Sequence, residues 1–234
     1  MMLSKSEPLP EGTVIMADNQ YAGRGQQQNV WYAEPGLNLT ISVLLKPVFL
    51  PVSQQFMLNI AVSNGISKAL QQLVKADLRV KWPNDIYYKD QKIGGVLIEN
   101  SVFGSVIKSS VIGIGLNVNQ KSFDPQISTV ATSLSKILQE DVNLSQLLGE
   151  ICSHLEAQYL KLKSNNSINL HRDYLANLYQ FDQPGLYRHN GEIFEGKITD
   201  VTRQGSLVVS ANGRLREYNF KEIEFVRAPK TGDA

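Results

Sequence analysis

The sequence predicts an α+β protein: a mixed, mostly antiparallel sheet with packed helices, followed by a small all-β module. Two stretches, residues 50–74 and 143–162, repeat apolar residues at helical spacing. Much of the chain between residues 12 and 119 instead alternates with a period of two, interrupted by glycines and by a Pro-Asn-Asp turn signal. From Phe181 onward, short alternating runs are joined by Asn190-Gly191, Gln204-Gly205 and Asn212-Gly213. Asn-Gly is the strongest short hairpin signal, because both residues tolerate the positive φ of a type I′ turn. The chain has 234 residues, 42% of them hydrophobic, which suffices for one full-sized domain and a smaller one without covalent cross-links. The expected division is residues 1–181 and 182–234.

Taken in order, "GTVIMAD" (Gly12 to Asp18) reads as a short buried strand, followed by a glycine-rich loop. In "NLTISVLLKP", Leu39, Ile41 and Val43 alternate with Thr40 and Ser42, a second strand. "LPVSQQFMLNIAVSNGISKALQQLV" places Phe56, Ile60, Ile66, Leu70 and Leu73 near helical spacing, with Ser53 as the N-cap after Pro51. "LRVKW", "IGGVLIE" and "SVIGIGLNVN" are three further strands, separated by "PNDIYYKDQ" and "FGSVIKS" as turns. Leu144, Leu147, Leu148, Ile151, Leu155, Tyr159 and Leu162 form one stripe of a second long helix, and "SINLHRDYLANLY" forms a shorter one.

Composition narrows the function. Lys plus Arg number 23 against 22 Asp plus Glu, so no net field draws the chain to DNA or an anionic membrane, and any nucleotide must be held locally. Cys152 is the single cysteine, which leaves neither a disulfide framework nor a thiolate metal site, and its apolar position reads as packing. His154, His171 and His189 show no ligand spacing. No apolar run approaches a membrane span and "MMLSKSEPLPEG" lacks the order of a signal peptide, so a cytoplasmic setting is expected.

Four segments could carry chemistry. In "YAGRGQQQNVW", glycines would let backbone N–H groups approach an anion that Arg24 also meets, although the segment alone is equally an exposed turn. It lacks the Lys-Ser or Lys-Thr ending of a P-loop. "KWPND" (Lys81 to Asp85) brings a lysine, an amide and a carboxylate into one rigid turn, or merely makes the turn while Trp82 packs. "KIGGVLIEN" carries Lys92 beside Gly94 and Gly95, where a strand is approached closely by a ligand or another backbone. "GIGLNVN" (Gly113 to Asn119) repeats the theme, with room for a flat ring and with Asn117 offering both donor and acceptor.

In combination and in this order, "GRG" with Trp31, "KWPNDIYY", "KIGGVLIEN" and "GIGLNVN" with "ATSL" at Ala131 to Leu134 resemble the biotin protein ligases, over nearly the whole chain. The resemblance implies a biotin/lipoate ligase-like catalytic domain with a small C-terminal SH3-like β-barrel. It implies activation of biotin with ATP and Mg²⁺ to biotinyl-5′-AMP, then transfer to one lysine of a biotin carboxyl carrier protein. By the same resemblance Lys92, Arg24 and Asp85 are catalytic, with Asp85 the candidate Mg²⁺ ligand. Gln20, Gly23, Arg24, Gly25, Gln26, Lys92 and Gly94 would bind biotin, and Trp31, Lys81, Asn84, Asn117 and Ala131 the nucleotide. The segment Gly23 to Trp31 would order over the adenylate to exclude water.

Two departures stand out. Gln26, Gln27 and Gln28 occupy places where the family usually carries Arg or Gln, then Arg, then Gly, and a glutamine cannot neutralise a phosphate, so a leakier adenylate is expected. The Ser-Thr-Asn segment and strand that normally open the family's catalytic domain are absent before Gly12, so either the start lies downstream of a fuller one, which is the expectation, or the protein lacks part of its biotin pocket. There is no room in this sequence for a helix-turn-helix, so DNA binding is not expected, while pairing into a homodimer stays open. The alternatives are a lipoate ligase or octanoyltransferase of the same architecture, and a catalytically silent biotin- or nucleotide-binding protein.

Overall fold

The computed structural model describes residues 9–25, 30–164 and 166–227. Its larger sheet has six strands: β1 (Val14–Met16), β4 (Leu39–Leu45), β8 (Val106–Leu116), β7 (Gln91–Phe103), β6 (Asp85–Tyr88) and β5 (Leu78–Lys81), in that spatial order. Every neighbouring pair is antiparallel. A small hairpin, β2 (Gly23–Arg24) with β3 (Val30–Trp31), interrupts the chain between β1 and β4. The alternation read from the sequence gives the sheet two unlike faces. Leu39, Ile41 and Val43 of β4, and Ile112, Ile114 and Leu116 of β8, belong to the buried core with α1 (Phe56–Gln71), α3 (Leu144–Lys163) and α4 (Ser167–Ala176). A short α2 (Leu134–Leu138) follows the loop after β8.

Most expected elements form, and four differ. The segment "FGSVIKS" is mostly strand, because β7 runs to Phe103, β8 begins at Val106 and the reversal is confined to Gly104-Ser105, with Gly104 at φ +60°. β1 is exposed rather than buried, with Val14, Ile15 and Met16 at 36%, 41% and 38%, because it is the edge strand and has a neighbour on one side only. Ser53 is not a helix N-cap. It lies in a 3-10 turn, Val52–Gln54, and α1 starts at Phe56 after Gln55, whose side chain makes no cap hydrogen bond. The turn is closed by Gln54 N donating to Pro51 O at 2.9 Å and Gln55 N to Val52 O at 3.1 Å, and Leu58 N in the first turn of α1 donates to Gln55 O at 3.1 Å. "PNDIYYKDQ" contains a strand, β6, because the reversal is confined to Trp82–Asn84 on one side and to Lys89–Asp90 on the other. Lys89 takes the positive φ, +51°, that so short a turn demands. The stripe expected in α3 is present, and Asn143 caps it by accepting from Gln146 N.

The C-terminal sheet runs β12 (Arg214–Tyr218), β11 (Leu207–Ala211), β10 (Glu192–Val201), β9 (Pro184–His189) and β13 (Glu224–Val226), all antiparallel. This arrangement is consistent with an SH3-like module. Asn190 and Gly191 have φ of +50° and +85°, and Asn212 and Gly213 +51° and +72°, as type I′ turns require. At Gln204-Gly205 only the glycine is positive, +102°.

Several contacts to the C-terminal sheet involve the Lys81-Trp82 dipeptide. Trp82 Nε1 donates to Gly205 O at 2.9 Å, and its ring meets Phe220 edge-on. The Lys81 ammonium lies 4.9 Å from the centroid of Tyr87, 6.0 Å from Tyr179 and 4.8 Å from Phe225. Burial pushes the Lys81 pKa below the usual lysine range, against the raising influence of Asp85, and pushes Tyr87 up to about 12.

Candidate active site

The unburied face of the larger sheet is floored by glycine. Its cross-strand registers place Thr40, Gly115, Gly95 and Asp85 in one row across four strands. Ser42, Gly113 and Leu97 form the next row, and Leu44, Val111 and Glu99 the one after. The result is a cavity of about 360 Å³ lined by these rows except Leu44, by Gln20, Arg24, Gly25, Val30 and Trp31 above, and by Asn84, Lys92 and Phe220 at one side. Such a volume lies within the range of small-molecule sites.

At one end of the first row, Lys92 Nζ sits 2.7 Å from Asp85 Oδ1. Three local features hold that pair. A β-bulge between Ile86 and Tyr87 shifts the register of β6 against β7 and sets Lys92 opposite Tyr87. Gly95 leaves space for the two side chains, since a Cβ there would lie 3.0 Å from Asp85 Oδ1 and 3.3 Å from Lys92 Nζ. Finally, the Lys92 backbone is clamped by the loop after β8: Lys92 N donates to Val130 O at 2.8 Å, and Thr132 N donates to Lys92 O at 2.9 Å.

Seven of the residues singled out in the sequence line the cavity: Gln20, Arg24, Gly25, Trp31, Asn84, Asp85 and Lys92. Arg24 Nη2 donates to Glu99 Oε2 at 2.9 Å. Trp31 lies against Gly115, where a Cβ would meet its Cε2 at 2.5 Å. Its Nε1 is buried without a hydrogen-bond partner among the described residues. Asn84 is tied to β7 in both directions, its Nδ2 donating to Val96 O and its carbonyl accepting from Val96 N.

Others stand beside the cavity rather than in it. Gly23 pairs with Trp31 across β2 and β3. Gly94 is buried and packs on Leu116. Asn117 Nδ2 donates to Thr132 O at 3.1 Å, and Ala131 bridges Lys92, so both brace the segment that clamps the lysine. Lys81 is in its aromatic cage, and Gln26 lies outside the described residues.

Sequence reasoning missed Thr40, Ser42, Glu99 and Phe220, all of which line the cavity. The signal for the hydroxyls was present: they are the polar phase of the alternation whose apolar phase, Leu39, Ile41 and Val43, is core. Phe220 comes from the C-terminal module and had no local signal. Among the described residues no three His, Cys, Asp or Glu side chains gather as a metal site. Cys152, on α3, is half-buried and lines a second pocket with Val43 and Leu45 of β4, and burial pushes its thiol pKa up. No helix among the described residues is long and apolar enough to cross a membrane.

Residues 3–117 match the biotin/lipoate A/B protein ligase family. The chain is 27% identical over 230 residues to the bifunctional ligase/repressor BirA of Bacillus subtilis, covering 92% of this chain and 66% of that protein. It is 27% identical over 215 residues to the biotin–[acetyl-CoA-carboxylase] ligase of Mycobacterium tuberculosis, covering 87% and 75%. It thus spans just under two thirds of the Bacillus subtilis relative, and 18% of the human biotin–protein ligase, to which it is 32% identical over 135 residues. Among solved structures, the biotin protein ligase from Aquifex aeolicus in complex with biotin and ATP superposes with a TM-score of 0.82 at 23% identity, covering 97% of this chain and 94% of that one. That likeness establishes the α+β fold.

Proposed function

From a chain whose residues 3–117 carry a biotin/lipoate A/B protein ligase family domain, we propose that the protein activates biotin with ATP and transfers the biotinyl group to a lysine of a biotin carboxyl carrier protein. The observation that carries this reading is the Lys92–Asp85 pair at the edge of a glycine-floored cavity. The division into a catalytic domain, residues 1–181, and a C-terminal module, residues 182–234, belongs to the same proposal.

The first step joins two anions: a biotin carboxylate oxygen attacks the α-phosphorus of ATP, forming the acyl phosphate bond as pyrophosphate leaves. Repulsion between carboxylate and phosphate is the electrostatic barrier, and a fixed cation at their meeting point lowers it most where charge accumulates. Lys92 is that cation, with its backbone held by the Val130–Thr132 segment so that reaction requires little reorganisation. Arg24 supplies a second charge once it leaves Glu99. Gln20 offers an amide to the ureido ring, and Gly23, Gly25, Gln26 and Gly94 belong to the biotin side. Trp31, Asn84, Asn117 and Ala131 belong to the nucleotide side, Asn117 and Ala131 by bracing the lysine segment. Lys81 serves the nucleotide through the hairpin it anchors.

Mg²⁺ fits this donor set as an ion shared with substrate. It commonly binds through one or two carboxylates together with phosphate oxygens, and Asp85 supplies such a carboxylate. When bound, it would neutralise phosphate charge. In the second step the acceptor lysine amine attacks the acyl carbonyl and AMP leaves, so water must be excluded until the carrier arrives.

The test is release of pyrophosphate and AMP on adding biotin and ATP, with transfer of labelled biotin to a carrier domain. Biotin-dependent pyrophosphate release is expected. Binding of biotin without any turnover would sink the ligase reading in favour of a silent binder, and preference for lipoate in a competition assay would move the chain to the other branch of the family.

A further inference from the structure

The turn that leads into Asp85 is gripped by three different parts of the chain. Lys81 and Asp85 pair across β5 and β6, which leaves Trp82, Pro83 and Asn84 as the turn between them. The C-terminal module takes the first of these through the Trp82 indole and Gly205 O. The last, Asn84, is tied to Val96 of β7 in both directions. The middle residue has no N–H to offer, so its carbonyl is the only polar group by which it can be held. Asn59 of α1 holds it, donating from Nδ2 to Pro83 O at 2.6 Å. Pro83 lines the cavity and Asn59 does not, so whatever Asn59 does at the site it does through the turn.

We propose that Asn59 is a positioning residue for the adenylation step: by holding the Pro83 carbonyl it sets Asn84 and Asp85 in register with Lys92. The identity of that reaction rests on the biotin and ATP reading above, whereas the hold on the turn does not. Helix α1 can act as a ruler here because it is itself anchored to the strand that bears the lysine. Gln55, four residues before Asn59 and on the same face, accepts from Asn100 Nδ2 of β7 at 3.1 Å. Asn100 Oδ1 in turn accepts from Ser110 Oγ of β8 at 2.7 Å. One edge of α1 thus grips β7 at Asn100 and the turn at Pro83, and Asp85, the residue directly after the turn, meets Lys92 of β7 at 2.7 Å. Helix propensity gives no reason for the residue, since asparagine is a weaker helix former than alanine or leucine. The reason lies in the donor it presents to the turn.

A misplacement of about 1 Å at a reacting group costs roughly 100-fold, and losing one of three anchors should move the turn by less, so a loss of about tenfold is expected. Asn59→Asp keeps the shape of the side chain and turns the donor into a carboxylate facing the Pro83 carbonyl. Asn59→Leu removes the donor and favours the helix, while Asn59→Gln keeps an amide one methylene further out. Biotin-dependent pyrophosphate release in a single turnover should fall about tenfold in the first two and recover in part in the third. Biotin affinity, measured by calorimetry without ATP, should stay within about twofold, because none of the groups assigned to biotin lies on the turn. A merely structural role would instead lower rate and biotin binding together, in step with the unfolded fraction. In the ligand-free protein the amide resonances of Asn84, Asp85 and Gly95 should shift in Asn59→Asp and return toward the parent in Asn59→Gln. Where circular dichroism shows that Asn59→Asp does not fold, Asn59→Leu takes its place in both measurements. A rate within about twofold of the parent, a parallel loss of biotin binding, or unmoved resonances overturns the proposal. If the resonances shift as expected while the parent itself releases no pyrophosphate with biotin and ATP, Asn59 positions the turn and the ligase reading fails.

Discussion

Replacing Lys92 with alanine separates chemistry from folding. The ion pair it removes, 2.7 Å long, is worth about 1.5 kcal/mol of Coulomb attraction in the dielectric of water. Both side chains are partly exposed, 32% and 26%, so screening and the entropy of fixing two side chains leave a net of about 1 kcal/mol or less. Urea unfolding should then shift its midpoint by no more than about 0.5 M for a slope near 2 kcal/mol per molar. The catalytic loss is larger, because a fixed charge at the transition state typically contributes about 100- to 1000-fold, or roughly 2.7–4 kcal/mol. Biotin-dependent pyrophosphate release under single-turnover conditions should fall by that factor while the urea curve barely moves. Lys92→Arg should recover part of the rate, since charge survives but the compact ammonium geometry does not. An activity drop below about threefold, or one that merely follows the unfolded fraction, would refute the assignment of Lys92 as the cation between carboxylate and phosphate.

Two further perturbations probe the junction of the sheets. Trp82→Ala removes a side chain 4% exposed, its hydrogen bond to Gly205 O and its edge contact with Phe220, and should cost about 3–5 kcal/mol in urea unfolding; a loss below about 1 kcal/mol would mean that the C-terminal module is not anchored there. Tyr87 has its pKa raised to about 12 by burial, with the charge of Asp85 adding to the effect. The folded state thus holds the Tyr87 proton more tightly than the unfolded state. That stabilisation is fully present below the reference value of 10.0 and is lost as pH rises toward about 12. Tyr87→Phe should lose stability less steeply than the parent over that interval, and identical slopes would show that Tyr87 does not drive the alkaline transition.

Much of this molecule is legible locally. The helical stripes of α1 and α3 and the alternation of β4 and β8 follow from residues close in sequence, as do the Asn-Gly turns, because side-chain period and turn dihedrals are local properties. The grouping of Lys92, Asp85 and Asn84 was legible for the same reason: a tight turn and a short hairpin bring "KWPND" and "KIGG" together with no long-range contact required. Ser53 misled because a 3-10 turn offers the backbone an alternative source of acceptors, which composition does not reveal.

The amino-acid order was thus sufficient for most element types, for the resemblance to biotin protein ligases and for the nearness of Lys92 to Asp85. It could not say that β1 would be a half-exposed edge, since that depends on which strands become its neighbours. Nor could it say that Thr40, Ser42 and Glu99 share a wall with Lys92, because cross-strand register joins residues up to tens of positions apart. The destination of Lys81 was settled by Tyr179 and Phe225, residues about 100 and 140 positions away that only folding brings to it. Trp31 on Gly115 and Arg24 on Glu99 have the same origin: each contact exists only once the hairpin lies across the assembled sheet.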